Sequence, residues 1–367
     1  MKTSRLRVDK PFLIISIILI VVGFFIFNSA SLALLAKENS NYGDIAFSQM
    51  VFGLFFGTIA MIVVARKDFK IWKKLAFYLL IVAILLNILV LIPSIGFEHN
   101  GARRWIRLLG ISFQTSEALK LALILYFAAW ASGIKEKIKT FRWGLLPLLV
   151  LFSISAVLLL QQPDTDNFLL IVIAGMAMFV AAGGQWRHIF FIIFTGAIGL
   201  TMLYFTEAYI KARIDTFINP QADAQGASFQ VQQSLIAIGS GGLFGRGFGQ
   251  SVQKFTYLPE PVGDSIFAVA AEEFGFVGSV FLLFIFILFA TRGLKIAGET
   301  ENIFARLTVV GIVIMIVSQA FVNIGAMLGV IPLSGITLPF VSHGGTSLFI
   351  TLLEVGIVLS ISRSRGL

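Results

Sequence analysis

A long polar and glycine-rich stretch interrupts an otherwise apolar chain, and it carries many of the side chains that could do chemistry. The stretch runs from Arg213 to Glu273 and contains clustered Gln, Lys, Arg, Asp and Glu residues. A connection of this length between two apolar helices is costly to order and is uncommon without a function. We therefore expect the functional site to include this loop.

Asp264 stands near the end of the loop, after Pro259 and Pro261 and just before an apolar run. A carboxylate at this position could be the N-cap of the following helix. Because its flanks are rigid, it could equally act as a general base at a membrane surface. Glu272 and Glu273 lie two turns deeper, where burial would make them either paired or functional. Spacing alone leaves both interpretations of Asp264 open.

A second polar group precedes and enters the fourth apolar run. Glu117 and Lys120 are three residues apart, so they share one helix face inside the membrane, where they could form a structural ion pair or line a cavity. Trp105 has three arginine neighbours, Arg103, Arg104 and Arg107. These arginines could anchor the chain at the interface, or they could bind a diphosphate, because guanidinium geometry matches phosphate oxygens.

Other motifs have weaker chemical meaning. The segment 161–166 contains Pro163 and Asp164, which predicts a turn and an N-cap, although Asp164 could also be functional. The glycines at 239–249 lack the following Lys-Ser/Thr and the βαβ context of a nucleotide site, so we expect them to permit tight turns and close backbone approach. The chain has no cysteine, and its three histidines lack metal-ligand spacing.

The composition predicts an all-α polytopic membrane protein, because 57% of the residues are hydrophobic and only 13% are charged. Apolar runs long enough to cross the membrane recur along the whole chain. We predict ten transmembrane helices near 11–36, 45–65, 71–92, 117–133, 143–161, 167–182, 188–211, 265–291, 306–330 and 347–362. A single transmembrane domain then covers 1–367, with one large loop at about 212–264.

The distribution of Lys and Arg predicts the orientation. Most of these residues fall in alternate loops on the side of the N-terminus, which places both termini in the cytoplasm and the large loop outside. The first span is expected to be a retained anchor rather than a cleaved signal peptide. The net charge of +9 follows from this bias and from anionic lipid, so we expect no nucleic-acid partner.

Four sequence segments together resemble the SEDS family (shape, elongation, division and sporulation). They are NGARRWIRL–FQTSEALK, QQPD, QSLIAIGSGGLFGRGFGQSVQK–YLPEPVGDSIFAVAAEEFGF and PLSGITLPFVSHGGTSL. Members of this family are polytopic glycosyltransferases that polymerise lipid II into peptidoglycan strands in the bacterial cytoplasmic membrane. The resemblance covers nearly the whole chain, and the large-loop motif is the most specific part. The QSVQK and YLPE segments are more similar to the division branch of the family than to the elongation branch.

The resemblance implies residue roles. Asp264 matches the essential loop aspartate, proposed to be the general base, and Glu117 and Lys120 match an essential pair in the fourth helix. Motif positions expected to line the same cavity are Arg103, Trp105, Gln253, Lys254 and Glu260, and Asp164 matches the aspartate of QPD. A positive group should stabilise the leaving diphosphate, and its candidates are Arg103, Lys120, Arg246 and Lys254. A Mg²⁺ or Mn²⁺ ion could share that task, although the sequence shows no dedicated ligand set.

Partners and rival functions follow from the same resemblance. We expect lipid II as substrate, a class B penicillin-binding protein as transpeptidase partner, and contacts with other divisome proteins. Small residues on spans eight and nine (Gly275, Gly278, Gly311 and Gly325) could form the face that binds the partner's helix. A flippase or transporter of lipid-linked precursors, and a non-catalytic division scaffold, are the alternatives. Because the charged groups crowd the outer half of the spans, chemistry is favoured over transport.

Overall fold

A computed structural model of the protein describes residues 8–35, 42–99, 102–108, 111–219 and 227–364. Five of the basic residues on which the orientation prediction depends, Lys2, Arg5, Arg7, Lys37 and Arg365, lie outside these ranges, as does part of the large loop (220–226). Within the described ranges, nine helices are long and apolar enough to cross a membrane. They are Lys10–Leu35, Tyr42–Arg66, Lys70–Leu89, Thr115–Ile134, Phe141–Leu160, Trp186–Thr206, Ile266–Gly298, Ile303–Met327 and Gly345–Arg363. A tenth predicted span corresponds to the shorter apolar helix Thr165–Ala181.

The helices are numbered in chain order. They are α1 (Lys10–Leu35), α2 (Tyr42–Phe47), α3 (Gly57–Arg66), α4 (Lys70–Leu89), α5 (Thr115–Ile134), α6 (Leu146–Leu160), α7 (Thr165–Ala181), α8 (Trp186–Thr206), α9 (Ala208–Ile218), α10 (Ala227–Ser240), α11 (Gln253–Thr256), α12 (Ile266–Gly298), α13 (Ile303–Met327) and α14 (Gly345–Arg363). A π-helical segment, Ser48–Phe56, joins α2 to α3, and a 3₁₀ turn, Lys135–Lys139, with a π turn, Phe141–Leu145, precedes α6. The predicted all-α class is confirmed.

The bundle is organised around α13 and α14. Helix α13 packs against α5, α7, α12 and α14, and α14 also packs against α3. In the apolar windows of these two helices, 72% and 89% of the residues are buried, against 11% for α8. Polar groups on α5, α13 and α14 therefore lie in the interior of the protein, whereas α8 presents nearly all of its surface outward.

A small antiparallel sheet precedes α5 and was not expected from the sequence. Its strands are β1 (Gly96–His99), β2 (Ala102–Leu108) and β3 (Ile111–Gln114), in the order β1-β2-β3. Trp105 of β2 pairs with Phe97 on one side and with Gln114 on the other. The arginines around Trp105 therefore lie on a hairpin strand, where successive side chains point to opposite faces.

The large loop is largely structured. It contains α9, α10 and α11, and α10 packs against α12. The glycine-rich segment 241–249 lies on a break in α12 at Gly275, whose backbone angles are φ 67° and ψ −163°. There the Phe276 and Val277 amides donate to the carbonyls of Gly242 and Leu243 at 2.9 and 3.1 Å. The prediction that these glycines allow close backbone approach is confirmed.

Two of the four glycines proposed for partner docking, Gly275 and Gly311, do not lie on an outer face, and Gly278 and Gly325 stay predictions. A Cβ added at Gly311 would meet the Ile124 and Met178 side chains inside the bundle, and one at Gly275 would meet the backbone of the glycine-rich segment. Gly311 fits α13 against α5 and α7 within the chain itself. The docking face inferred from these two glycines was therefore wrong, because small residues serve packing within a bundle as well as between chains.

Substitution of Gly275 tests the break in α12. Its backbone conformation is nearly exclusive to glycine, so Gly275→Ala should destabilise the purified protein by about 1–3 kcal/mol or more. Thermal unfolding in detergent measures the change. The control is Gly199→Ala in α8, which has open space around it and should stay within about 1 kcal/mol of the parent protein. Equal unfolding temperatures for both variants would contradict a strained break at Gly275.

Candidate active site

The Glu117–Lys120 pair forms the buried end of the site. Lys120 Nζ donates to Glu117 Oε1 at 2.9 Å and to Gln319 Oε1 on α13 at 2.8 Å. Both charged side chains are nearly fully buried. The ion pair expected from the i,i+3 spacing is thus present, and it also joins α5 to α13.

Glu354 is a member of this cluster that sequence reasoning missed. It is buried on α14 within electrostatic range of both Lys120 and Glu117. Two carboxylates thus lie near one ammonium group. The available signal was a lone acidic residue in the last apolar span, because an ionisable group inside a membrane usually has a function.

Asp264 lies at the other end of the site. The N-cap position of α12 is Ser265, and no side chain caps this helix, so the interpretation of Asp264 as an N-cap was wrong. The Oδ1 atom of Asp264 is shielded from solvent and has no hydrogen-bond partner among the described residues. An unpaired carboxylate oxygen is available to accept a proton.

The surroundings of Asp264 favour its protonated form. Burial raises its pKa to about 7, against an opposing hydrogen bond from Gln230, and the nearby charge of Glu260 adds to the rise. A carboxyl group with a pKa near neutrality is suited to general-base catalysis. Glu260 itself is exposed and has a positive φ of 45°. Its carbonyl oxygen accepts hydrogen bonds from the Gly263 and Ser265 amides, so it shapes the turn that carries Asp264.

Lys254 is held entirely by protein groups. Its Nζ atom donates to Glu273 Oε1 at 2.7 Å, to the carbonyl and hydroxyl oxygens of Ser29 at 3.0 Å each, and to the Gly249 carbonyl at 3.1 Å. The side chain is fully buried. This geometry favours the structural role for the Lys254–Glu273 pair, which locks the loop to α1 and α12.

Glu272 organises the start of α11. Its carboxylate accepts hydrogen bonds from Ser251 Oγ at 2.5 Å and from the amides of Val252 and Gln253 at 3.0 and 3.3 Å. Arg246, which is partly exposed, has its Nε atom 3.5 Å from Glu272 Oε1. The side-chain oxygen of Gln253 is shielded and has no partner in the described part of the chain.

Ser251 and Lys254 happen to match a Ser-x-x-Lys tetrapeptide, the signature of penicillin-binding transpeptidases. Their side chains are not free to act as nucleophile and base. Ser251 donates to Glu272, and the ammonium group of Lys254 is paired with Glu273. The tetrapeptide is therefore a structural element of the loop.

The QPD turn is fixed by Arg104, one of the three arginines considered above as interfacial anchors or diphosphate ligands. Its guanidinium group donates to the Gln162 carbonyl at 3.0 Å and to the Pro163 carbonyl, and it lies 3.6 Å from Asp164 Oδ1. Asn167 donates to both carboxylate oxygens of Asp164. Asp164 stands at the N-cap position of α7 without capping it, and these partners give it a structural task.

Arg103 and Trp105 lie on the hairpin strand β2. Arg103 forms an exposed ion pair with Glu98 at 2.8 Å, and the neighbouring Arg107 lies over the Phe97 ring. Arg103 is therefore engaged at the surface, and its substrate role and that of Trp105 stay predictions. In the part of the chain that the structure describes, no group of three or more His, Cys, Asp or Glu residues is placed to hold a metal ion.

These features define a polytopic helical membrane protein with buried charged groups beneath a structured polar loop. The model of a family described as "cell cycle protein", which groups FtsW, RodA and SpoVE, matches residues 10–366. The chain belongs to this family, and the resemblance to SEDS proteins is confirmed.

Relatives and solved structures agree over almost the full length. The chain is 37% identical to stage V sporulation protein E of Bacillus subtilis (strain 168) over 99% of both chains. It is 38% identical to a probable peptidoglycan glycosyltransferase FtsW of Geobacter sp. (strain M18) over 98% of both. A chain from a structure on the coordination of polymerization and crosslinking by a peptidoglycan synthase complex superposes with a TM-score of 0.81 at 27% identity, covering 98% of both. The crystal structure of Thermus thermophilus RodA gives 0.71 at 28% identity, also covering 98% of both.

The fully bonded ammonium group of Lys254 leads to a stability prediction. Lys254→Met should lower the free energy of unfolding by about 3–5 kcal/mol, because it leaves Glu273 buried without its cation. The double variant Lys254→Met/Glu273→Met should recover much of that loss, as measured by thermal unfolding in detergent. Lys139→Met, which breaks an exposed ion pair with Glu136, is the control and should cost no more than about 1 kcal/mol. Unchanged stability of Lys254→Met together with a raised KM for substrate would instead support a substrate contact.

Proposed function

We propose that the protein is a peptidoglycan glycosyltransferase that polymerises lipid II at the face of the membrane where the large loop lies. The observation that carries this proposal is Asp264, whose shielded Oδ1 atom has no partner among the described residues and whose pKa is raised to about 7, in the family's most specific motif. The relatives named FtsW and the synthase-complex structure support the same activity. The family's description as a cell cycle protein and the relatives named FtsW support a role in cell division.

In the proposed reaction, Asp264 accepts the proton of the acceptor sugar's 4-hydroxyl group as that oxygen attacks the anomeric carbon of the donor. The bond from that carbon to the lipid diphosphate breaks, and the electron pair leaves with the diphosphate. Positive groups stabilise the developing charge. Lys120 and the partly exposed Arg246 are the better candidates for this task. Lys120 Nζ has two hydrogen-bond acceptors among the described residues for its three N–H groups, whereas Lys254 Nζ has four and Arg103 is paired at the surface.

In this proposal a divalent cation has one role, which is to help stabilise the leaving diphosphate. A Mg²⁺ or Mn²⁺ ion would neutralise charge on the leaving diphosphate. Since the described residues offer no cluster of three acidic or histidine ligands, such an ion would be bound chiefly by the diphosphate oxygens, with one or two carboxylates. The proton of the acceptor's 4-hydroxyl group is taken by Asp264 and not by a metal-bound group.

We also propose a class B penicillin-binding protein as partner. One support is the structure of a similar chain, whose description concerns the coordination of polymerization and crosslinking by a peptidoglycan synthase complex. The other is that the side chains of Ser251 and Lys254 are bonded to Glu272 and Glu273, which argues against a transpeptidase centre in the loop. Other divisome proteins are proposed as further contacts. The protein is a multi-pass membrane protein, and its placement in the bacterial cytoplasmic membrane with both termini inside completes the proposal.

Asp264→Asn tests the general base. The amide has nearly the same volume but cannot take a proton, so polymerisation of lipid II by the purified protein should fall at least about 100-fold with folding unchanged. The assay is run with and without the transpeptidase partner. Near-normal turnover would rule out Asp264 as the base. Intact division in cells that carry an inactive variant would favour the scaffold alternative.

The pH dependence provides an independent test. A carboxyl group whose pKa is raised to about 7 is protonated below that pH and cannot accept another proton. The value of kcat/KM for polymerisation, which reports the pKa of the enzyme without substrate, should therefore fall as pH drops through about 7 and level off above it. An acidic limb near pH 4, the ordinary range of an aspartate, would show that the base is another group or that Asp264 is solvated.

The orientation can be tested with single cysteines, because the chain contains none. Tyr257 lies in the large loop and Lys137 in the turn before α6, and both are exposed. In intact cells, Tyr257→Cys should react with an impermeant thiol reagent, whereas Lys137→Cys should react only after lysis. The reverse pattern would overturn both the orientation and the side on which substrate binds.

A further inference from the structure

Helix α13 presents two buried amide side chains toward the site, Gln319 and Asn323. They are four residues apart, so they lie on one face of the helix, one turn from each other. Both stand in a helix that is otherwise mostly apolar. A buried amide is costly unless its donors and acceptor are used. Asn323 Oδ1 has no partner among the described residues, so the hydrogen bonds that the two amides do make indicate what they do.

Gln319 uses both ends of its amide. Its oxygen accepts the hydrogen bond from Lys120 Nζ at 2.8 Å. Its nitrogen donates to the carbonyl and hydroxyl oxygens of Thr337 at 3.0 and 3.3 Å. Gln319 therefore joins the Glu117–Lys120 pair to the segment that precedes α14.

Asn323 makes the corresponding connection for the other end of the site. Its nitrogen donates to the backbone carbonyl of Asp264 at 2.8 Å and to that of Ile336 at 2.7 Å. Ile336 and Thr337 are consecutive, so both amides hold the same short stretch of backbone. The chain of contacts runs without a gap from Lys120 to the backbone of Asp264.

The same segment also holds the loop before Asp264. Ser342 Oγ donates to the Gly263 carbonyl at 2.7 Å, and the His343 amide donates to the Val262 carbonyl at 2.7 Å. The segment 336–343 is thus a common frame that contacts the loop before Asp264 at two successive residues, Val262 and Gly263. Movement of this frame relative to α13 would displace Asp264.

We propose that Gln319 and Asn323 are positioning residues, which fix the Lys120–Glu117 pair and the backbone of Asp264 at one mutual distance through the segment Ile336–Thr337. This rests on the proposed function, because it assigns Asp264 and Lys120 to the same reaction. Neither amide touches the reacting atoms. Their effect is to hold the base and the buried cation as one unit, and small errors in such a distance cost about 100-fold in rate.

The chemistry of the amide suggests a discriminating pair of variants. In Gln319→Glu the carboxylate can still accept from Lys120, but it can no longer donate to Thr337. Gln319→Met removes both contacts at similar volume. If the connection matters, both variants should lower kcat for lipid II polymerisation by at least about tenfold. If Gln319 acts only by holding Lys120, Gln319→Glu should keep the parent rate, and this result would overturn the proposal.

Asn323→Leu tests the hydrogen bond from Asn323 to the Asp264 carbonyl. Two quantities are measured, the rate of polymerisation and the pH at which the rate falls on the acidic side. Loss of the hydrogen bond to the Asp264 carbonyl should let water reach the carboxyl group, so the acidic limb of kcat/KM should shift from about pH 7 toward lower pH. A merely structural loss would reduce kcat without moving the limb, and it would contradict the positioning role. The control is Ser318→Ala, whose hydroxyl group donates to the Met315 carbonyl of the same helix and which should leave both quantities unchanged.

The double variant Gln319→Glu/Asn323→Leu completes the test. If the two residues act through one frame, the losses of activity in the single variants should not add. The double variant should then be only slightly less active than the less active of the two single variants. Fully multiplicative losses would overturn the proposal. Should Asn323→Leu fail to fold, the Gln319→Glu and Gln319→Met comparison decides the question.

Failure of this inference can be told from failure of the proposed function. Active Asp264→Asn would refute the general base itself. Inactive Asp264→Asn, combined with parent-like kcat for the Gln319 and Asn323 variants, would refute only the positioning role.

Discussion

The constraint on which the structure depends is the cost of placing a charge inside a membrane protein. An ammonium group removed from water must regain its solvation from protein groups, and the penalty is several kcal/mol when it does not. Lys120 recovers it from Glu117 and Gln319, and Lys254 recovers it from Glu273, Ser29 and Gly249. Each solution needs partners from different helices, so the charges fix how α5, α13, α1, α12 and the loop meet.

A related constraint governs the backbone. Irregular segments at membrane depth are tolerated only where protein groups satisfy their amides and carbonyls. The glycine-rich segment 241–249 meets this condition by hydrogen bonding to the broken turn of α12, and the segment before α14 meets it through Gln319, Asn323 and Ser342. Both segments can therefore be irregular and still rigid. Rigidity is what a site needs if it is to hold a base and a cation at a set distance.

Local patterns predicted the helical class, the approximate spans and the Glu117–Lys120 pair, because hydrophobic runs and i,i+3 spacing are properties of one segment. For Asp264 the local pattern left the N-cap and the general base open, and the resemblance favoured the base. What could not be predicted depends on contacts between distant segments. Arg104 holds the QPD turn 58 residues away, Glu354 approaches Lys120 from the last helix, and the three-stranded sheet has only short, weakly patterned strands. Spacing also could not separate the N-cap from the base at Asp264, since both interpretations need a carboxylate before a helix.

Asp264 departs from the rule that the other buried charges obey. Glu117, Glu272 and Glu273 each have a cation or a hydrogen-bond donor on the carboxylate, whereas the shielded Oδ1 atom of Asp264 has none among the described residues. The protein fixes this residue through its backbone, by Asn323 and by the Glu260 turn, and leaves the side-chain oxygen unused. A fully bonded carboxylate would have a lower pKa and would be a weaker base. Anchoring the main chain while leaving Oδ1 without a partner keeps Asp264 both positioned and reactive.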